Sequence, residues 1–175
     1  MLRNILVTLD GSAYSEAVLP AAADLAAATR STITLFTVGQ PPAATPQSPL
    51  TVEPQPIPAT TAVRLPLAAR VRYGETRSQA IERRERELRE YLEEKATALR
   101  ERGIEVQVAA TMGEDAGETI IEYARRQAVD LIAMATHGHS GLRGLIFGSV
   151  AGRVVGSGVR PVLLVRPGAL GRHID

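Results

Sequence analysis

The residues best suited to chemistry in this chain lie in one stretch, ATHGHSGLRGLIFGS, at positions 135–149. Gly138 is followed by nine residues, His139 to Phe147, and then by Gly148 and Ser149, where a new helix is expected to begin. Glycines let a backbone turn with positive φ and approach a ligand closely, and a helix start offers free amides and a partial positive charge. Both properties favour a phosphate group. The stretch is not a P-loop, because no Gly-Lys-Ser/Thr follows the glycines, and it holds no G-x-G-x-x-G dinucleotide fingerprint. Gly141 and Gly144 read as flexibility within the loop.

Other reactive side chains carry weaker signals. Asp10 follows a first apolar run, where it either meets a ligand or caps the helix after it. His137 and His139 have the H-x-H look of a metal pair, but no cysteine or further clustered histidine accompanies them, so they read as loop residues and no metal site is expected. Arg143 and Arg153 could reach terminal phosphates, but exposed arginines are common, and both stay outside the expected site. No Ser/His/Asp triad, activated thiol or base for attacking a phosphate is evident, so no catalytic residue is assigned.

Alternating elements must position this loop. Ile5-Leu6-Val7 reads as a strand buried on both faces, and Ser12 as the N-cap of a helix to about Arg30, kinked or begun near Pro20. Ile33 to Val38 is a second strand. Eight prolines between Pro41 and Pro66 mark a Pro-rich loop insertion at about 40–78. Gln79 to Arg102 is a charged helix with Ile81, Leu88, Leu92, Ala96 and Leu99 on one face, Glu82–Arg86 and Glu85–Arg89 as solvated pairs, and Gly103 at its end. Strands at Ile104–Ala110, Asp130–Ala135 and Pro161–Val165 alternate with helices at Ala116–Ala128 and Val150–Val155, the last stopped by Gly156 and Gly158. The order predicts an α/β fold, one domain over residues 1–175 with a five-stranded parallel sheet and helices on both faces. In such sheets ligands bind beyond the carboxyl ends of the strands, where the strand order reverses, and strand four runs directly into the loop.

Composition narrows the function. The chain has 175 residues, 45% hydrophobic but only 3% aromatic, so Ala, Val, Leu and Ile build its core. A formal charge of +1 supplies no field for nucleic acid or anionic lipid. With no cysteine, disulfides and thiol chemistry are excluded, which suits a reducing compartment. The opening MLRNILVTLDGS has an apolar run too short for a signal peptide or membrane span, so a cytoplasmic protein is expected.

The segment ATHGHSGLRGLIFGSVAGRVV resembles the universal stress protein family, whose ATP-binding members carry Gly, two residues, Gly, nine residues, then Gly-Ser or Gly-Thr. ILVTLDGSAYSEAVLPAAADLA is similar to that family's first strand and helix, and DLIAMATHGHSG and PVLLVRP to its last two strands. Residues 40–78 do not fit, and Ala135 stands at the first glycine of the pattern. The resemblance implies a Rossmann-like fold of the adenine nucleotide alpha hydrolase-like type and an ATP site. There Asp10 and the backbone of Thr8 and Leu9 would meet the adenosine, Val38 the adenine edge, and Met134 and Ala135 the ribose. Gly138, Gly148, Ser149, Val150 and Ala151 would surround the phosphates, and Mg²⁺ would arrive with the nucleotide. The resemblance further implies a homodimer through the Pro161–Val165 strand and a nucleotide-responsive role in stress tolerance or signalling. Two other readings stay open: a nucleotide-free homodimeric interaction module in which Ala135 closes the site, and a slow ATPase. A phosphotransferring or nucleotidyl-transferring enzyme is a third class for which no residue asks.

Overall fold

Ile5, Leu6 and Val7 have no exposed surface, because they occupy the middle of a sheet covered on both faces. In the computed structural model, which describes residues 1–42, 76–136 and 148–166, the elements run β1 (Asn4–Thr8), α1 (Ala13–Glu16), α2 (Leu19–Thr29), β2 (Thr32–Gly39), α3 (Arg77–Glu101), β3 (Val106–Met112), α4 (Ala116–Arg126), β4 (Leu131–Ala135), α5 (Ser149–Ser157) and β5 (Val162–Val165). Every strand pair is parallel, in the order β3-β2-β1-β4-β5. The expected five-stranded parallel sheet is therefore present, and the strand order reverses between β1 and β4. Most of the Pro-rich stretch lies outside the described residues.

Successive side chains of a strand point to opposite faces. Ile5 and Val7 accordingly join Ile33, Leu35 and Ala133 in one core layer with Ala22, Ala26 and Leu92 of α2 and α3. Leu6 joins Phe36, Ile132 and Met134 in the other layer with Ile120 of α4 and Ala151 and Val154 of α5. Phe36, the largest fully buried side chain, stacks on Tyr123 with ring centroids 4.2 Å apart.

The single helix expected from Ser12 to Arg30 is two. Ser12 caps the first as expected, its hydroxyl accepting from Ser15 N at 3.1 Å, but α1 ends after one turn. Pro20 falls at the start of α2, where its missing N–H leaves no helical bond unmade. On the charged helix α3, a capping box between Thr76 and Gln79 fixes the start, and Leu92, Ala96 and Leu99 are buried. Among the described residues neither expected pair forms; instead Glu87 takes both Arg83 at 2.7 Å and Arg84 at 3.1 Å, which holds its carboxyl below the usual range. In α5, Gly156 lies inside the helix, and Gly158, at φ 60°, ends it in a left-handed conformation that suits glycine. No helix among the described residues is long and apolar enough to cross a membrane.

The β1–β4 seam is clamped at its amino end by Asp130, whose Oδ2 accepts from Arg3 N at 2.7 Å and Asn4 N at 3.0 Å. These backbone bonds hold its carboxyl below the ordinary aspartate range. A carboxylate with a depressed folded-state value stabilises above its unfolded value and loses that contribution as pH falls through the folded one. Asp130→Asn is thus expected to lower the urea midpoint at neutral pH, with variant and wild type converging as pH falls below the ordinary aspartate range. Parallel curves across that range would show that the charge contributes nothing.

Candidate functional site

At the carboxyl ends of β1, β2 and β4 the sheet opens into a cavity of about 220 Å³. Its position follows from topology: β1 feeds α1 on one side while β4 feeds α5 on the other, so the connections diverge and leave a crevice. Thr8, Leu9 and Asp10 line it from the end of β1, Val38 from β2, and Met134 and Ala135 from β4. Gly148, Ser149, Val150 and Ala151 line it from the start of α5. Every residue expected to meet a nucleotide is thereby brought to one cavity except Gly138, which lies outside the described residues with His137, His139 and Arg143.

Polar groups in this cavity sit on a largely apolar wall. The start of α5 is the feature with most chemical consequence. Gly148 is its N-cap and has no side chain to cap with, and the first bond inside the helix runs from Gly152 N to Gly148 O at 2.7 Å. The amides of Ser149, Val150 and Ala151 therefore have no acceptor among the described residues. By contrast Ser12, Thr76 and Asp115 cap α1, α3 and α4 with side-chain oxygens. Open amides with the helix dipole behind them form a site for a negative charge.

Asp10 lines the cavity and braces the turn ahead of α1. Its Oδ1 accepts from Ser12 N at 2.9 Å and Ser12 Oγ at 2.6 Å, bracing the turn in which Gly11 takes φ 84°, while the residue is exposed along the cavity. It is not the helix cap, since Ser12 holds that place. The turn is tied again through Ser15, whose Oγ accepts from Asp10 N at 3.1 Å and donates to Ser12 O at 2.9 Å. Behind it, Tyr91 of α3 donates to Glu16 Oε1 at 3.0 Å, and Lys95 reaches the same oxygen at 3.2 Å. Burial and the Glu16 carboxylate push the Tyr91 hydroxyl well above its ordinary value, so it remains a donor. Arg153, one turn into α5, pairs with Asp115 at 2.5 Å, which joins α5 to the cap of α4.

Four lining residues were not foreseen: Ser15, Ala116, Ile120 and Thr136. Ala116 and Ile120 show only a helix's apolar spacing in the sequence. Thr136 follows Ala135 directly, and its signal was a hydroxyl inside a glycine-rich stretch. It is 6% exposed, and among the described residues its Oγ1 is the one buried side-chain oxygen without a hydrogen-bond partner. No three His, Asp or Glu side chains converge among the described residues.

Comparison with known proteins gives one consistent result. A sequence model described as the Universal stress protein family matches residues 1–166. The universal stress protein YxiE of Bacillus subtilis is 28% identical over 166 residues, covering 95% of this chain and all of that one. A crystal structure of a universal stress protein family member from Burkholderia pseudomallei superimposes with a TM-score of 0.61 at 23% identity, covering 93% of this chain and 94% of the other. The universal stress protein from Archaeoglobus fulgidus in complex with dAMP superimposes with a TM-score of 0.54 at 16% identity, covering 94% and 97%.

Proposed function

The chain belongs to the universal stress protein family, and on that premise we propose that it binds ATP in the cavity at the β1–β4 divide and acts as a nucleotide-responsive module. The uncapped start of α5, opening on that cavity, carries the reading: three amide donors in a row ask for an anionic acceptor. The neighbouring wall suits the rest of a nucleotide. Val38, Ile120 and Met134 offer an apolar surface for a flat ring, and Asp10 an acceptor for sugar hydroxyls. The dAMP held by the Archaeoglobus fulgidus relative supports an adenine nucleotide. Ala151 and Gly148 leave room for phosphates, and Gly138 would complete their cradle. Mg²⁺ would be held through the phosphates, since among the described residues no carboxylate cluster is at hand to bind it alone. Ala135 sits in the extended ladder of β4, paired with Val165, so its methyl narrows the cavity without straining the backbone.

The same reading includes a cytoplasmic homodimer. β5 ends the sheet, its second edge has no partner strand among the described residues, and Leu163 and Leu164 are only half-buried. A twin strand at Pro161–Val165 would cover that edge.

Isothermal titration with ATP and Mg²⁺ tests the site, run beside the double variant Gly148→Ala, Ser149→Ala. Gly148 has φ −60° and ψ 163°, which alanine adopts freely, so the substitution imposes no backbone strain. Wild type is expected to saturate, and the variant to bind about tenfold or more weakly, as for the loss of charge-assisted contacts. No heat at millimolar ATP would overturn the reading and favour a nucleotide-free interaction module.

A further inference from the structure

We propose that the Thr136 hydroxyl is a phosphoryl-binding group, donating its proton to an oxygen of the phosphate held at the start of α5. The proposal rests on the nucleotide reading of this cavity and adds to it a residue whose type the glycine spacing leaves unspecified.

Thr136 continues β4 by one residue. Its N–H donates to Val165 O at 2.9 Å, so the β4–β5 ladder extends to it and the alternation of side chains holds. Ile132 and Met134 face the layer packed against α4 and α5, and Thr136, two residues on, faces the same layer. Ala151 of α5 belongs to that layer and lines the cavity with Thr136. The hydroxyl thus stands on the side of the sheet where the open amides of Ser149, Val150 and Ala151 begin their helix.

A buried hydroxyl without a partner costs stability comparable to a lost hydrogen bond. Three other residues with buried hydroxyls have partners: Ser31 Oγ donates to Leu2 O at 3.0 Å, Thr34 Oγ1 to Asn4 Oδ1 at 3.0 Å, and Ser15 Oγ to Ser12 O at 2.9 Å. Valine has nearly the same shape and would fill the position without that cost. A hydroxyl at this place makes sense when a ligand completes it. The ligand group must then accept from the hydroxyl and from the α5 amides together, and phosphate oxygens are acceptors only.

Full-length wild type, Thr136→Val and Thr136→Ser are to be titrated with ATP plus Mg²⁺ and, separately, with adenosine, and melted without ligand. Thr136→Val is expected to bind ATP about 10- to 100-fold more weakly, as for a lost hydrogen bond to a charged group, and adenosine as wild type does. Thr136→Ser keeps the donor and is expected to stay within about threefold of wild type for ATP. The unliganded Thr136→Val protein should melt at the wild-type temperature or about 2–4 °C higher, because an unsatisfied group has been removed. Equal ATP affinity in wild type and Thr136→Val overturns the proposal while leaving the ATP site standing. An equal loss for adenosine moves the contact to the sugar or base and also overturns it. A melting temperature lowered by about 10 °C or more shows a structural role and does the same. If wild type binds no ATP, the parent reading fails and this one with it.

Discussion

Replacing Ser149 with aspartate is expected to weaken ATP binding at least about 100-fold while leaving the unliganded protein as stable as before, or more so. Ser149 is the first residue of α5 and is exposed at the cavity. A carboxylate in the first turn of a helix gains about 0.3–1 kcal/mol from the dipole and the open amides. That same carboxylate would occupy the donors meant for phosphate and oppose its charge, and like charges brought together cost several kcal/mol. Titration and thermal melting of the same preparation separate the two effects. Ser149→Asn, of the same size without the charge, is the control and should retain most binding. If the aspartate variant bound ATP as wild type does, the phosphates would not lie at α5.

Phe36→Ala carries the largest expected loss of stability, about 3–5 kcal/mol. Phe36 is 1% exposed, pairs in the ladder with both Thr8 and Ala109, and stacks on Tyr123. Removing it empties the centre of the layer beneath α4, and a dense interior cannot close such a gap without moving backbone. The melting temperature is expected to fall by about 6–20 °C. Val38 lies two residues along the same face and forms one wall of the cavity, so nucleotide affinity should fall with it. A loss under about 1 kcal/mol would mean that the layer repacks around the missing ring.

The strands were legible because burial on both faces writes itself as unbroken apolar runs. Ile5-Leu6-Val7 and Leu131 to Ala135 could hardly be anything else between polar ends. The split of the first helix was not legible, since Val18, Leu19, Ala22 and Ala26 keep a helical spacing across the break and periodicity does not register a change of axis. Pro20 was the only mark of it. Charge pairing on α3 misled for a related reason: Glu82–Arg86 has the right spacing, but long exposed side chains choose among several partners, and Glu87 collected two arginines. At the cavity, Gly148 and Ser149 were expected from the glycine spacing that carries the family resemblance, and both line it. Ala116 and Ile120 were not, because only the strand order carries α4 over the end of the sheet. Thr136 was hidden differently: the lack of a partner is a property of the folded layers and leaves no trace in the string of residues.

The pairing of β1 with β4 has a consequence for the birth of the protein. Asn4 N and Asp130 Oδ2 are joined across 126 positions, and Ile5 lies beside Leu131. At about 5–20 residues per second a ribosome needs roughly 6–25 s to bridge that interval. Throughout it β1 can pair with β2 but keeps its other edge bare, an apolar edge of the kind that recruits wrong neighbours. The crevice that opens between these two strands has no second wall until β4 arrives, and lacks the open amides of α5 until that helix follows. A complete cavity is therefore a late property of the nascent chain, acquired only after β4 and the start of α5 have been made.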